Sequence, residues 1–403
     1  MLALIAWRNI WRSRRRSTIM ILAITLGLWG GLFAVGIFGG MYATMVDSAI
    51  DRNLTHLQLH VPGFREEQLI TMSISRPLAI VDSISAIPGV KAVSARTVLE
   101  GMGSSPTSSQ GVEIVGIDPA VEQHATAIGR HIVGGSYFQG DERNPAVIGT
   151  KLAERLNLKL HAKLVLSFQD PDGSIQYGAF RVAGIFNTES TSFDGTTVFV
   201  RGSDLRSLVG VPLIHEIAVR LVTNDSLESI SRTIRARYPD LQVDTWKDLA
   251  PELKITESAD ISMAIIMGII LLALIFGIVN TMLMSVLDRV REFGVLMAVG
   301  MKRGRIFRMI LLETLVLSLT GSAIGIMLGA LSIAWTNRIG ISLAWFSEGL
   351  SLYGMSSTVY PLVRLRMYGV LAVMVVIAAC IAAIYPAVKA IRLRPASAIA
   401  TFG

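Results

Sequence analysis

This 403-residue sequence predicts an α-helical membrane unit of four transmembrane helices joined to a large extracytoplasmic α+β domain of two subdomains. Three observations carry that prediction. Four stretches contain no charged residue: Ser17–Val46, Ile261–Leu287, Thr314–Asn337 and Met367–Val388. Each exceeds the ~20 apolar residues a helix needs to cross a ~30 Å hydrocarbon core. One polar block, 47–260, separates the first stretch from the second. Basic residues gather at alternate ends of the stretches, which orients them. Composition agrees: 52% of residues are hydrophobic and 17% charged, against ~25% charged in soluble domains.

Residues 1–16 read as a cytoplasmic helix in the membrane interface, with Leu4, Trp7 and Trp11 on one face and Arg8, Arg12 and Arg15 on another. The first span, 17–46, is too long for the ~7–15-residue core of a signal peptide and lacks a small-residue cleavage site close behind it, so it is a retained anchor. Gly27/Gly31 and Gly36/Gly40 within it are spaced for close helix packing.

The 47–260 block alternates apolar and polar residues at His56–Val61, Gly111–Ile117, Leu164–Phe168, Phe180–Phe186 and Val198–Val200, as half-buried strands do. Asp82–Ala95 and Glu228–Trp246 resemble each other, each reading as a helix, a Pro-containing turn and a strand. They predict one subdomain built from 47–110 and 211–260, with a strand-rich subdomain, 111–210, inserted. Asp170-Pro171-Asp172-Gly173 separates two strand-like runs. Pro presets φ and Gly accepts positive φ, so this is a hairpin tip; the spaced ligands and terminal Glu of a calcium loop are absent. His56 and His60 are four apart, but their stretch alternates like a strand, and no metal site is expected.

The second span, 261–287, leads into a cytoplasmic segment, 288–308, holding Arg289, Arg291, Lys302, Arg303, Arg305 and Arg308. Arg8–Arg16 precede the first span, and Lys389, Arg392 and Arg394 follow the last. Because basic loops stay cytoplasmic, both termini and 288–308 face the cytoplasm, and 47–260 and 338–366 face outward. Arg364 and Arg366 oppose this assignment and are outnumbered. The third span, 309–337, carries Gly321, Gly325 and Gly329 at packing spacing, and Glu313 near its cytoplasmic end, where a snorkelling or loop-paired carboxylate is favoured over a proton-relay acid. After a short outer loop, 338–366, the fourth span, 367–391, holds the lone cysteine, Cys380, and a tail, 392–403, ends the chain. No disulfide framework or cysteine metal site is possible. The net charge of +7 is local to the membrane ends, which argues for a lipid bilayer as partner and against nucleic acid.

No Gly-Lys pair exists, so there is no Walker A phosphate loop; G-x-S-x-G and H-E-x-x-H are also absent. No enzyme and no bound cofactor are expected of this chain. Between spans two and three, Phe293, Leu296, Val299 and Gly300 instead form an apolar stripe on a short helix. Exposed to cytosol, such a stripe needs a protein surface to cover it.

At these residues a family resemblance appears. VLDRVREFGVLMAVGMKRGRIFRMILLETLVLSLTGSAIGIMLG resembles FtsX-like ABC transporter permeases of the MacB/LolC/LolE superfamily, and YPAVKAIRLRPASAIA resembles the family's C-terminal end. WRNIWRSRRRS before a glycine-rich span is also typical of members. The resemblance implies a dimer of permeases, identical or paralogous, on a dimer of separate ATPase subunits that bind the ATP and Mg. It makes 288–308 the coupling helix, with Arg289, Arg291, Glu292, Phe293, Gly294, Leu296, Val299, Gly300 and Lys302 as coupling residues. It divides the outer domain into Porter-like (47–110, 211–260) and Sabre-like (111–210) parts. MacB-type members carry a fused N-terminal ATPase, and none precedes span one here. The run from Val147 to Val200 looks like the LolC/LolE branch, which releases lipoproteins from the inner membrane to a periplasmic carrier. The hairpin Ser167–Arg181 would then sit where a carrier is recruited, and Phe33, Phe38, Met41, Tyr42, Ile265 and Ile266 would line an acyl-chain path. The alternatives within the superfamily are efflux of amphipathic peptides or antibiotics and FtsX-like signalling to a cell-wall hydrolase.

Overall fold

The computed structural model describes residues 14–139, 143–250, 256–352 and 357–392. The interfacial helix expected at 1–16 lies outside these residues up to position 13, and the tail lies outside them from 393. The helices used below are, in chain order, α1 (Arg14–Ala49), α2 (Pro77–Ser85), α3 (Pro119–Ala125) and α4 (Leu227–Arg237). After them come α5 (Thr256–Asp288), α6 (Val290–Ala298), α7 (Arg303–Ile339) and α8 (Leu365–Arg392). Two compact units emerge. One gathers the described residues of Met1–Ala43, Thr256–Ser342 and Thr358–Gly403; the other gathers those of Thr44–Ile255 and Leu343–Ser357.

The first unit is helical, and among the described residues α1, α5, α7 and α8 are each long and apolar enough to cross a membrane. Small residues set its packing, because lipid gives apolar side chains no reason to prefer each other and close backbone approach must supply the attraction. Gly27 and Gly31 turn α1 towards α5: a Cβ on Gly27 would lie 2.5 Å from Leu274 Cδ1, and one on Gly31 would lie 3.8 Å from Ile270 and Met267. The opposite face of α1 meets the glycines of α7. A Cβ would lie 2.9 Å from Ile24 at Gly321, 3.0 Å from the Thr25 carbonyl at Gly325 and 2.8 Å from Leu32 at Gly329. Thr25 Oγ1 also donates to the Gly321 carbonyl at 3.1 Å. Gly36 and Gly40 face Val363 and the Tyr360 carbonyl. All seven glycines singled out by spacing therefore close contacts within one chain.

Span boundaries differ from expectation mainly at the cytoplasmic segment. Residues 303–308 open α7 and are not loop, and Arg14–Arg16 open α1. Helix ends can extend past the apolar run because basic side chains snorkel.

Among its described residues the second unit holds ten strands in one connected sheet: β1 (Leu57–His60), β2 (Val90–Ser104), β3 (Ser109–Ile117), β4 (Ile132–Gly135), β5 (Pro145–Gly149), β6 (Lys163–Gln169), β7 (Ile175–Phe186), β8 (Thr197–Arg201), β9 (Glu216–Leu221) and β10 (Gln242–Thr245). The order β10-β1-β9-β2, antiparallel throughout, with crossover helices α2 and α4, is the split β-α-β topology of ferredoxin-like folds. The two similar segments are its two helix–turn–strand halves, and Arg237 of α4 donates to Ser83 of α2 at 2.8 Å.

Between β2 and β9 the chain builds a second body. β2 pairs β3, β3 pairs β8, β8 pairs β5, β5 pairs β7, β7 pairs β6, and β6 returns to β2. Six strands thus close into a ring whose inward positions, including Leu99, Ile114, Leu164, Leu166, Phe180 and Val198, form its core. The expected boundary at 110/111 is corrected. β2 itself belongs to both bodies, with Val90–Arg96 on β9 and Thr97–Ser104 on β3, so the inserted body opens at Thr97. The outer loop is corrected too. The described residues of 343–357 belong to this unit, where Ser351 lies 3.4 Å from Thr191 and Glu189 accepts from the Ser357 amide at 3.2 Å.

Candidate coupling site

α6 is a nine-residue helix, and a Gly at its end explains how the chain leaves it: Gly300 takes φ +97°, where a side chain would be strained. Its inner face carries Phe293, 1% exposed, and Gly294, both buried against the helical core, with Leu296 half-buried beside them. Its outer face carries Arg291, Glu292, Val295, Ala298 and Val299, the last 83% exposed. The predicted stripe is therefore corrected. Phe293 and Leu296 fold back onto the chain's own membrane helices, while Val299 and Gly300 remain exposed and are joined by Val295. Lys302 stands at the N-cap position of α7 without a side-chain capping bond.

Arg289, at the entry to α6, fixes the helix in place. Its Nη1 donates to both Glu313 oxygens, at 2.8 and 3.2 Å, its Nε donates to Glu292 at 3.2 Å, and its guanidinium lies 5.1 Å from the Phe293 ring centroid. The Glu313 side chain is 6% exposed, so the ion pair holds an acidic group within the membrane helix. Of the snorkelling and loop-paired roles expected for Glu313, the structure shows the pairing, with Arg289.

The second unit holds a second charged constellation that the sequence does not announce. Arg96, on β2 where it leaves one body for the other, is 3% exposed. Its Nη2 and Nε donate to Glu122 of α3 at 2.6 and 3.1 Å. Its Nη1 donates to Glu216 of β9 at 2.5 Å and to the Asn53 carbonyl at 2.8 Å. Ser94 and Thr126 donate to Glu122, and His60 lies 3.3 Å from Glu216. Burial alone would raise the Glu216 carboxyl, but the Arg96 guanidinium and His60 hold it below the usual range. Beside them, burial and the Glu216 charge push Glu113 up to about 7. Asn53 lies in the π-helical turn Ile50–Leu54 that continues α1, and the same turn is bound through Asp51 to Arg220 and through the Asp51 carbonyl to the Ala127 amide. One cluster thus ties that turn to β2, β9 and α3. No signal in the sequence links Arg96 to carboxylates 26 and 120 positions away.

His56 and His60 serve different partners, His56 Nδ1 accepting from the Leu221 amide at 3.2 Å. At the hairpin, Asp170 accepts from the Asp172 and Ser174 amides at 3.0 and 2.8 Å and from Gln176 at 2.9 Å. Gly173 takes φ +86°, and the tip stands in solvent after Pro171. Of the expected acyl-path residues, Phe38 and Ile265 are exposed, while Phe33, Met41, Tyr42 and Ile266 are half-buried.

Two family profiles match. The MacB-like periplasmic core domain covers 17–237, more than half of the chain, and the FtsX-like permease C-terminal domain covers 264–395. The macrolide export ATP-binding/permease protein MacB of Escherichia coli is 32% identical over 180 residues, 41% of this chain and 28% of that protein. The pyoverdine export ATP-binding/permease protein PvdT of Pseudomonas fluorescens is 24% identical over 364 residues, 81% of this chain and 50% of that one. The chain spans half or less of the length of these relatives. The crystal structure of the periplasmic region of MacB from Actinobacillus actinomycetemcomitans aligns at 12% identity with a TM-score of 0.35, over 50% of this chain and 94% of that one.

Proposed function

This chain belongs to the FtsX-like permeases with a MacB-like periplasmic core domain, and from that premise we propose that it is the permease subunit of an ABC transporter in a bacterial inner membrane, with a separate ATPase docking on α6. The single observation that carries the proposal is the division of α6 into two faces. Phe293 and the Arg289–Glu313 pair hold one face to the membrane helices, and Val295, Ala298 and Val299, with Arg291 and Glu292 beside them, leave a largely apolar face open. A helix so held transmits force from whatever binds its free side, which an unanchored loop would not. Two states biased by nucleotide, in a dimer of permeases, would then move the outer unit.

The cargo is an amphipathic molecule taken up on the outer side. Relatives named for macrolide and pyoverdine export support efflux of such molecules. Release of lipoproteins to a periplasmic carrier is the second reading, supported by the LolC/LolE-like run through Val147–Val200 and by the solvent-exposed tip Asp170–Gly173. The test is a mild-detergent purification of the tagged chain from native membranes, analysed for proteins and lipopeptides. An ATPase with triacylated lipoproteins supports lipoprotein release; an ATPase without them supports efflux; absence of any ATPase overturns the transporter reading.

A further inference from the structure

The helical unit concentrates its positive charge at the end where α6 lies, as retained cytoplasmic charge should be. Its opposite end nevertheless carries three exposed arginines: Arg338 in the last turn of α7, Arg364 just before α8, and Arg366 in the first turn of α8. The structure holds their backbones together. Asn337 Nδ2 donates to the Pro361 carbonyl at 2.9 Å, and Ile341 and Ser342 pair with Val359 and Thr358. Among the described residues none of the three guanidinium groups has a hydrogen-bonding or ionic partner. Nor does the local sequence offer one: from Thr314 to the end, Glu348 is the single acidic residue.

Around the arginines lie large apolar side chains that water does not suit. Trp335 is 67% exposed, one turn before Arg338, and Leu365, between Arg364 and Arg366, is 88% exposed. Exposed Trp and Leu beside unpaired arginines, at the end of helices that span a bilayer, match one environment: the boundary between acyl chains and phosphates. Trp prefers that depth, and the planar guanidinium donates in a fork that fits a phosphate.

We infer that this end of the helical unit binds the headgroups of anionic glycerophospholipids in the outer leaflet, through Arg338, Arg364 and Arg366, with Trp335 and Leu365 seated among the acyl chains. Zwitterionic lipid presents the same phosphate but adds a cationic group that these arginines repel. The lipid also supplies the counter-charge that lets three arginines stand at the end of the spans where the distribution of basic residues disfavours them.

Native mass spectrometry of the full chain in detergent, titrated separately with phosphatidylglycerol and with phosphatidylcholine of the same acyl chains, tests this. Each arginine near anionic headgroups contributes about fivefold, so the three together should retain phosphatidylglycerol on the order of a hundredfold more tightly. The preference should vanish in R338Q/R364Q/R366Q and survive in R305Q at the other end. Equal retention of the two lipids, or a preference that outlasts the triple variant, overturns the inference. So does a triple variant that loses self-association while keeping its lipids, since that would make this end an interface between two copies. If the triple variant does not fold, R364Q alone should weaken the preference, and brominated phosphatidylglycerol should quench less fluorescence in W335F than in the unaltered chain. Failure of either result counts against the site.

Discussion

Arg289 and Glu313 form an ion pair of 2.8 and 3.2 Å between the residue that opens α6 and a buried position of α7, so α6 is bolted to a membrane helix that follows it in sequence. The pair is shielded on both sides, with side-chain exposures of 12% and 6%. Removing one partner strands the other charge in a poorly hydrated place.

E313Q should therefore destabilise the α6–α7 region by about 3 kcal/mol, near the low end for breaking a buried pair because Arg289 retains Glu292. R289M/E313L, which removes both charges, should recover most of that loss. Hydrogen exchange of the α6 amides in detergent measures both. Equal protection in E313Q and the unaltered chain would show that the pair does not hold α6.

The two faces of α6 should separate stability from partner binding. F293A removes a buried ring and should cost about 3–5 kcal/mol. R291E and V299E change exposed positions and should leave stability within about 0.5 kcal/mol, yet abolish copurification of the ATPase subunit. An ATPase that still copurifies with both would place its contact elsewhere.

Stability of the second unit should depend on pH in two opposing ways. Burial, reinforced by Arg220, lowers His56 from 6.5 to about 4. Neutral His56 accepts the Leu221 amide through Nδ1, a bond that the imidazolium cannot accept. Between about 4 and 6.5 the unfolded chain binds the extra proton, so this contribution is present above 6.5 and lost as pH falls towards 4. Glu113 has the opposite sign: its folded form keeps a proton up to about 7, so its contribution is present below 4.5 and lost as pH rises through 7. Unfolding midpoints across pH 4–8 should show a shallower acid limb in H56Q and a flatter limb on approach to 7 in E113Q. Identical profiles for all three proteins would sink the assignment.

Close approach of α1 and α7 predicts a graded penalty for added volume. G321V forces a branched side chain against Ile24 and should cost about 1–3 kcal/mol, read as a lower melting temperature in detergent. G277A, on α5 with no atom within 4 Å of its would-be Cβ, should be close to neutral. A harmless G321V would mean the helices can separate at that seam.

The apolar spans, the hairpin tip and the paired helix–turn–strand segments were legible because each is a local pattern: a long uncharged run, a Pro-Asp-Gly turn, a repeated order of elements. Closure of the six-stranded ring was not, since the β2–β6 pairing joins Gly101 to Phe168 across sequence that carries no register signal. The α6 stripe was legible as a stripe but not as a direction. Its spacing is the same whether Phe293 meets a partner or its own bundle, and only Glu313 accepting from Arg289 turns it inward. Arg96 hid for a related reason. In a strand a lone arginine reads as solvent-facing, and the carboxylates that make its burial tolerable arrive from α3 and β9.

β1 ends at His60, but its two neighbours in the sheet are β9 and β10, which end only at Leu221 and Thr245. The ring, by contrast, is complete once Arg201 has been made. During synthesis the inserted body can close first, while β1 waits unpaired at both edges with α1 already made. Pairing across so much intervening chain is slow, because loop closure must precede any gain in contacts. The exposed edges of β1 during that wait are where this protein is most open to misassembly with a neighbouring nascent copy. A stalled chain ending shortly before residue 216 should accordingly hold a folded ring beside an unfolded strand, and should be the species that chaperones or proteases meet.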